Sequence, residues 1–114
     1  MALAMEGLKD AEYRRAFAEE LRTGLAFQVG ALRRERGLTL VELSERTGLS
    51  PSTISRLENP ALEGFSLPTL QKLAAAFDVA LTVRFMPFSE LVAWTSELSP
   101  ERMAPASFKQ EWNE

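Results

Sequence analysis

From Glu12 to Arg36 the apolar residues Phe17, Leu21, Leu25, Val29 and Leu32 recur at spacings of three and four. This is the period of a helix with one buried face. Gly24 and Gly30 interrupt it, each weakening a helix by roughly 1 kcal/mol relative to Ala. The stretch reads as one long helix, or as two with a bend near Gly24, and Gly37 stops it. A second stripe follows later in the chain: Leu67, Leu70, Leu73, Ala74 and Phe77. Ser66 is placed to cap that helix, and Pro68 is tolerated in its first turn.

Beyond Asp78 the period falls to two. Val79, Leu81, Val83 and Phe85 alternate with Ala80, Thr82, Arg84 and Met86, which predicts a strand with one apolar face. No second strand of comparable quality occurs in the chain. A lone strand leaves its backbone groups unpaired and is a template for association, so the simplest expectation is antiparallel pairing with a second copy across a two-fold axis. The alternative is a strand-like segment packed on its own domain. Pro87 ends the strand. Ser89 then predicts a helix through about Leu98, with Leu91, Val92, Trp94 and Leu98 apolar, and Ser99-Pro100-Glu101 resembles another helical start. Phe108 and Trp112 stand in a polar tail, where packing on the core is favoured over anchoring a partner. Residues 1–11 show no pattern and are read as a loose leader.

Between the two long stripes, Thr39 to Pro60 predicts two short helices around Gly48. Thr39 with Glu42 three residues on forms a capping box, in which hydroxyl and carboxylate each satisfy a free helix N–H. Leu40, Leu43 and Thr47 share one face. Gly48 supplies the positive φ that ends the helix. Ser50 caps the next helix, with Pro51 in its first turn. Ile54 and Leu57 face inward, leaving Ser52, Ser55 and Arg56 outward. Two such short helices need cover from the elements before and after them.

Composition narrows the chemistry. The chain of 114 residues has neither Cys nor His, which removes disulfides, thiolate nucleophiles and the usual metal ligands. No metal and no cofactor are expected. There is no phosphate-binding Gly-rich loop and no Ser with an evident base, so an enzyme is not expected. No apolar run reaches membrane-spanning length and no signal peptide is evident, so a cytoplasmic protein is expected. The formal charge is −3, at first unfavourable for nucleic acid, but its distribution matters more. Residues 1–36 carry seven basic and six acidic groups, whereas residues 87–114 carry two and five. The acidity lies largely in the tail, which leaves Arg residues free to converge on one face.

Leu-Arg-Arg-Glu-Arg-Gly-Leu-Thr, Glu-Leu-Ser-Glu-Arg-Thr-Gly-Leu-Ser and Ser-Thr-Ile-Ser-Arg-Leu-Glu-Asn together resemble the XRE family of helix-turn-helix regulators, related to the phage lambda repressor and Cro. The likeness covers roughly Leu25 to Val79. It implies a mainly all-α, lambda-repressor-like five-helix domain over residues 12–78, followed at 79–114 by a dimerising strand and a helical, acidic tail. It implies a homodimer bound to double-stranded DNA, with the helix from Ser50 to Glu58 in the major groove. Base contact is then expected from Pro51, Ser52, Ser55 and Arg56. Phosphate contact is expected from Thr39, Leu40, Ser50, Thr53, Asn59, Arg34 and Arg36, partly through backbone N–H groups. An ion pair of Arg33 with Glu58 is implied, tying the first helix to the reading helix, and dimerisation is assigned to Val79, Leu81, Val83 and Phe85.

Two positions depart from the family pattern. Leu40 and Pro51 stand where many members carry polar arms for phosphate and base. The reading is therefore a sequence-specific regulator of repressor type on a palindromic operator. The alternative is an antitoxin-type module that keeps the fold, reads DNA weakly or not at all, and holds a toxin or other protein partner through its tail.

Overall fold

Asp10 begins the first helix by accepting a 2.8 Å hydrogen bond from the Glu12 N–H. Helix α1 then runs unbroken from Ala11–Glu35, so the expected choice resolves to one long helix. The computed structural model describes residues 6–62, 64–95 and 104–112. The predicted helix end near Leu98 and the Ser99-Pro100-Glu101 start lie outside them. Within the leader, Leu8 is buried and its carbonyl accepts from Arg14 at 2.7 Å.

α1 closes with Gly37 at φ 67°. The Gly37 N–H donates to the Arg34 carbonyl and the Leu38 N–H to the Arg33 carbonyl, both at 3.0 Å. This paired pattern satisfies two carbonyls that a helix end otherwise leaves free. Three helices follow: α2 (Leu40–Thr47), α3 (Pro51–Leu57) and α4 (Leu67–Phe77). Each begins at the polar cap read from the sequence, with Thr39, Ser50 and Ser66 accepting from the N–H three residues on. Four helices thus fill the expected domain among its described residues, one fewer than the family likeness implies.

The core lies where α1, α2, α3 and α4 meet. It consists of Val29, Leu32, Leu38, Leu43, Ile54, Leu73 and Phe77, with Leu43 and Ile54 wholly buried. Leu67 was expected in the buried stripe of α4 but is half exposed, because it occupies the first helical position, at the rim of the core. Helix α4 ends with Asp78 in the left-handed conformation (φ 59°), a place Asp tolerates better than most residues.

The strand expected at Val79–Phe85 is not seen. The segment carries no strand pairing among the described residues. The physical reason is the one visible in the pattern: no other alternating segment exists in the chain to complete a ladder. A helix α5 follows at Phe88–Thr95. It starts one residue before Ser89, which is therefore inside the helix rather than its cap, and the Pro87 carbonyl accepts from Glu90 and Leu91.

The tail returns to the domain. A short helix α6 (Phe108–Trp112) is fixed by Asp78, whose carbonyl accepts from the Phe108 N–H at 2.8 Å and whose carboxylate accepts from the Lys109 N–H at 3.0 Å. The expectation that Phe108 and Trp112 pack on the core is corrected: both are exposed. They stack on each other instead, with ring centroids 5.8 Å apart and planes 12° from parallel. One helical turn separates them, so each ring covers the other.

Candidate nucleic-acid interface

Helices α2 and α3 are joined by a turn held from inside. Gly48 adopts φ 79° and donates to the Ser44 carbonyl at 2.8 Å. The buried Thr47 hydroxyl donates to the Leu43 carbonyl at 2.8 Å, and accepts from the Leu49 N–H at 3.1 Å. One hydroxyl thus fixes the last turn of α2 and the direction in which the chain leaves it. Leu49 packs against the core on the far side of the turn. Sequence reasoning placed Thr47 on the apolar face but missed this role, since a Thr at a buried helical position carries no local mark of its partners.

The capping box at the start of α2 is complete. Thr39 Oγ1 accepts from the Glu42 N–H, and the Thr39 N–H donates to Glu42 Oε1, both at 3.0 Å. The bond from the Thr39 N–H foremost, and then the Thr39 side chain, hold the Glu42 carboxyl below its ordinary pKa. A group whose pKa is lowered on folding adds stability above its unfolded value, and that stability is lost as pH falls through the folded value. The protection factor of the Thr39 amide, its exchange rate taken relative to the intrinsic rate at each pH, is therefore expected to fall in acid, more steeply than global unfolding accounts for. Glu42→Gln keeps an acceptor at this position and should remove that acid step. An identical acid profile in parent and variant would place the protection elsewhere.

On α3, Pro51, Ser52, Ser55 and Arg56 are exposed together while Ile54 is buried beneath them. The Arg56 side chain makes no hydrogen bond or ion pair with any described residue. Ser50 and Thr53 are engaged with each other, hydroxyl to hydroxyl, at 2.7 Å. Asn59 is exposed, with Oδ1 accepting from the Ala61 N–H at 3.0 Å. Leu40 packs its side chain on the core, so only its backbone N–H is offered at the start of α2.

The arginines at the end of α1 separate into different roles. Arg33 grips Glu58 with two bonds, Nε to Oε2 at 2.5 Å and Nη2 to Oε1 at 3.0 Å, and donates Nη1 to the Leu38 carbonyl at 3.0 Å. The two side chains are only 18% and 14% exposed. The Glu58 hydrogen bond raises the Arg33 pKa above its already high ordinary value. Helix α1 is thereby bound to the end of α3. Arg34 is exposed and lies over Gly30, where a Cβ would come within 3.0 Å of its guanidinium.

Arg36 departs from expectation. It donates to the Phe77 carbonyl at 3.2 Å and the Pro105 carbonyl at 2.8 Å, and it pairs with Glu35. It satisfies the end of α4 and the returning tail, and is not left free for phosphate. No signal in the sequence marks this, because both partners are backbone carbonyls, 41 and 69 residues away.

Residues 29–83 match the helix-turn-helix family model. They are an XRE-family helix-turn-helix domain. The matched span begins within α1, contains α2, α3 and α4, and ends inside the segment between α4 and α5. No curated protein and no solved structure matches the chain. Domains of this family bind DNA in regulators and are not catalytic, so the helix-turn-helix domain makes the chain a DNA-binding regulator in general terms. Among the described residues no group of His, Cys, Asp and Glu is placed to hold a metal, and no helix is long and apolar enough to cross a membrane.

Proposed function

We propose that this chain is a cytoplasmic repressor that occupies a roughly palindromic operator as a homodimer, with the helix-turn-helix domain at residues 12–78 and dimerisation through residues 79–114. The observation that carries the reading is the state of α3. Its outward face holds Arg56 without a partner among the described residues, beside the small side chains of Ser52 and Ser55, which let a helix approach a groove closely. Arg56 reads guanine through its forked donors, with Pro51, Ser52 and Ser55 against neighbouring base edges. Phosphates are held by the Thr39 hydroxyl and the Leu40 N–H, by Ser50 and Thr53, by Asn59 and by Arg34. Two copies related by a two-fold axis set the half-sites about 34 Å apart, or a multiple of that.

Selection of bound sequences from random DNA tests this. A palindromic consensus is expected, and Arg56→Ala should weaken the selected site by about 1–3 kcal/mol and relax one base position. Absence of enrichment, or unchanged selectivity without Arg56, would overturn it.

The exposed Phe108–Trp112 stack favours a second reading, in which the tail holds a protein partner of toxin type while the domain reads DNA weakly. That reading predicts a stable complex whose formation is abolished by Trp112→Ala, with α3 variants unaffected.

A further inference from the structure

Phe85 has no cover from the described residues of its own chain. Its ring is fully exposed at 105%, and Val83 is 65% exposed. In an extended segment these two share a face with Val79 and Leu81, yet Val79 and Leu81 are half-buried against the domain. One half of the apolar face is covered and the other half is bare. Beside the covered half lies an open apolar cavity of about 80 Å³, walled by Leu25, Val29, Leu70, Phe77, Val79 and Leu81. Residues 80–86 make no main-chain hydrogen bond with any described residue. Among the described residues, the bare knob, the open groove and the unpaired backbone therefore stand on a single short segment.

We propose that a second copy of this chain fills the groove with its Phe85, and that the two-fold axis passes through Thr82. The inference rests on the homodimer reading and specifies its contact. In an antiparallel pair, residues directly opposite each other point to the same face. Odd-numbered residues must then oppose odd-numbered ones, or the apolar face of one copy meets the polar face of the other. Centring on Thr82 sets Phe85 against Val79 and Val83 against Leu81, so each bare half lies on a covered half. It sets Arg84, already paired with Glu90 of its own chain, against the methyl of Ala80. Centring on Val83 instead places Val79 against Pro87, which has no N–H for a ladder.

The area suffices. A buried Phe removes roughly 150–250 Å², so two rings with the groove walls they cover remove roughly 600–1,000 Å². Specific interfaces begin near ~1,000 Å², and the backbone ladder with the two Val83 side chains makes up the difference. A two-stranded ribbon is marginal in isolation, which is why the seat for Phe85 matters.

The chain has no Cys, so single cysteines report the register. Thr82→Cys faces its own copy across the axis at a Cα separation of about 4.5–5.5 Å, within disulfide reach, and should cross-link under mild oxidation. Arg84→Cys stands about 13 Å from its copy at ~3.3 Å per residue and should not. Phe85→Ser should raise the dimer dissociation constant at least ~100-fold in light scattering, with a thermal melt like that of the parent diluted to monomer, because Phe85 is uncovered by the described residues of its own chain. Cross-linking as fast through Arg84→Cys, none through Thr82→Cys, or a dimer unchanged by Phe85→Ser would overturn the register while the homodimer stands. A parent chain that is monomeric at tens of micromolar would overturn both.

Discussion

Ile54→Ala is expected to destabilise the fold by about 2–5 kcal/mol, the range for emptying a closely packed aliphatic site. The parent protein's total stability is expected to be of the order of 5–15 kcal/mol, so the loss is a large share. The effect should reach DNA binding for a local reason. Helix α3 has seven residues, and Ile54 is its buried side chain. A helix that short has no stability of its own. Its orientation under Arg56 depends on Ile54 packing with Leu43, both at 0% exposure. Urea unfolding measures the first effect as a lower midpoint at constant slope. DNA affinity at a temperature where the variant remains folded measures the second. A loss under 1 kcal/mol would mean that Ile54 does not occupy the centre of the core.

The second large effect is expected at the Arg33–Glu58 pair. Glu58→Ala leaves a largely covered guanidinium with the Leu38 carbonyl as its acceptor among the described residues, and Arg33→Ala leaves a covered carboxylate without its ion-pair partner. Each single change should cost about 1.5–3 kcal/mol, as for hydrogen bonds to charged groups. The double variant should cost little more than either single one, because the remaining partner is no longer stranded. A coupling of about 0.5–3 kcal/mol is the signature of direct contact, and simple additivity would show that the two residues act separately. The pair also joins α1 to the end of α3. Both single variants should therefore lose operator affinity even where the fold persists, although neither side chain is assigned to a base.

The features legible in the sequence are those made by neighbours. Thr39 with Glu42, Ser50 with Thr53, Ser66 with Thr69, and Gly37 and Gly48 all act within about four residues, and each marks a real helix end. The apolar stripes converge for the same reason, since periodicity states which face is buried. It does not state what buries it. Leu67 belongs to its stripe by spacing yet lies at the rim. The alternation at Val79–Phe85 announces an apolar face, but a ladder needs a second strand that this chain does not hold. Arg36 illustrates the limit at the site. Its place in a cluster of three arginines suggested phosphate, whereas its acceptors are carbonyls brought close only by the fold. Phe108 and Trp112 read as apolar residues seeking a core, but one turn of helix let them satisfy each other.

The fastening of the tail carries a thermodynamic consequence. The Arg36 bond to Pro105 and the two Asp78 bonds to Phe108 and Lys109 connect residues 105–109 to the ends of α1 and α4. Any ligand that draws this segment away must break all three. At roughly 0.5–1.5 kcal/mol net per bond, that sets a threshold of about 1.5–4.5 kcal/mol, or roughly a 10- to 2,000-fold weakening of capture. Linkage is reciprocal: whatever steadies the ends of α1 and α4 raises that threshold, and whatever captures the tail takes the Pro105 carbonyl from Arg36, which keeps its contacts with Phe77 and Glu35.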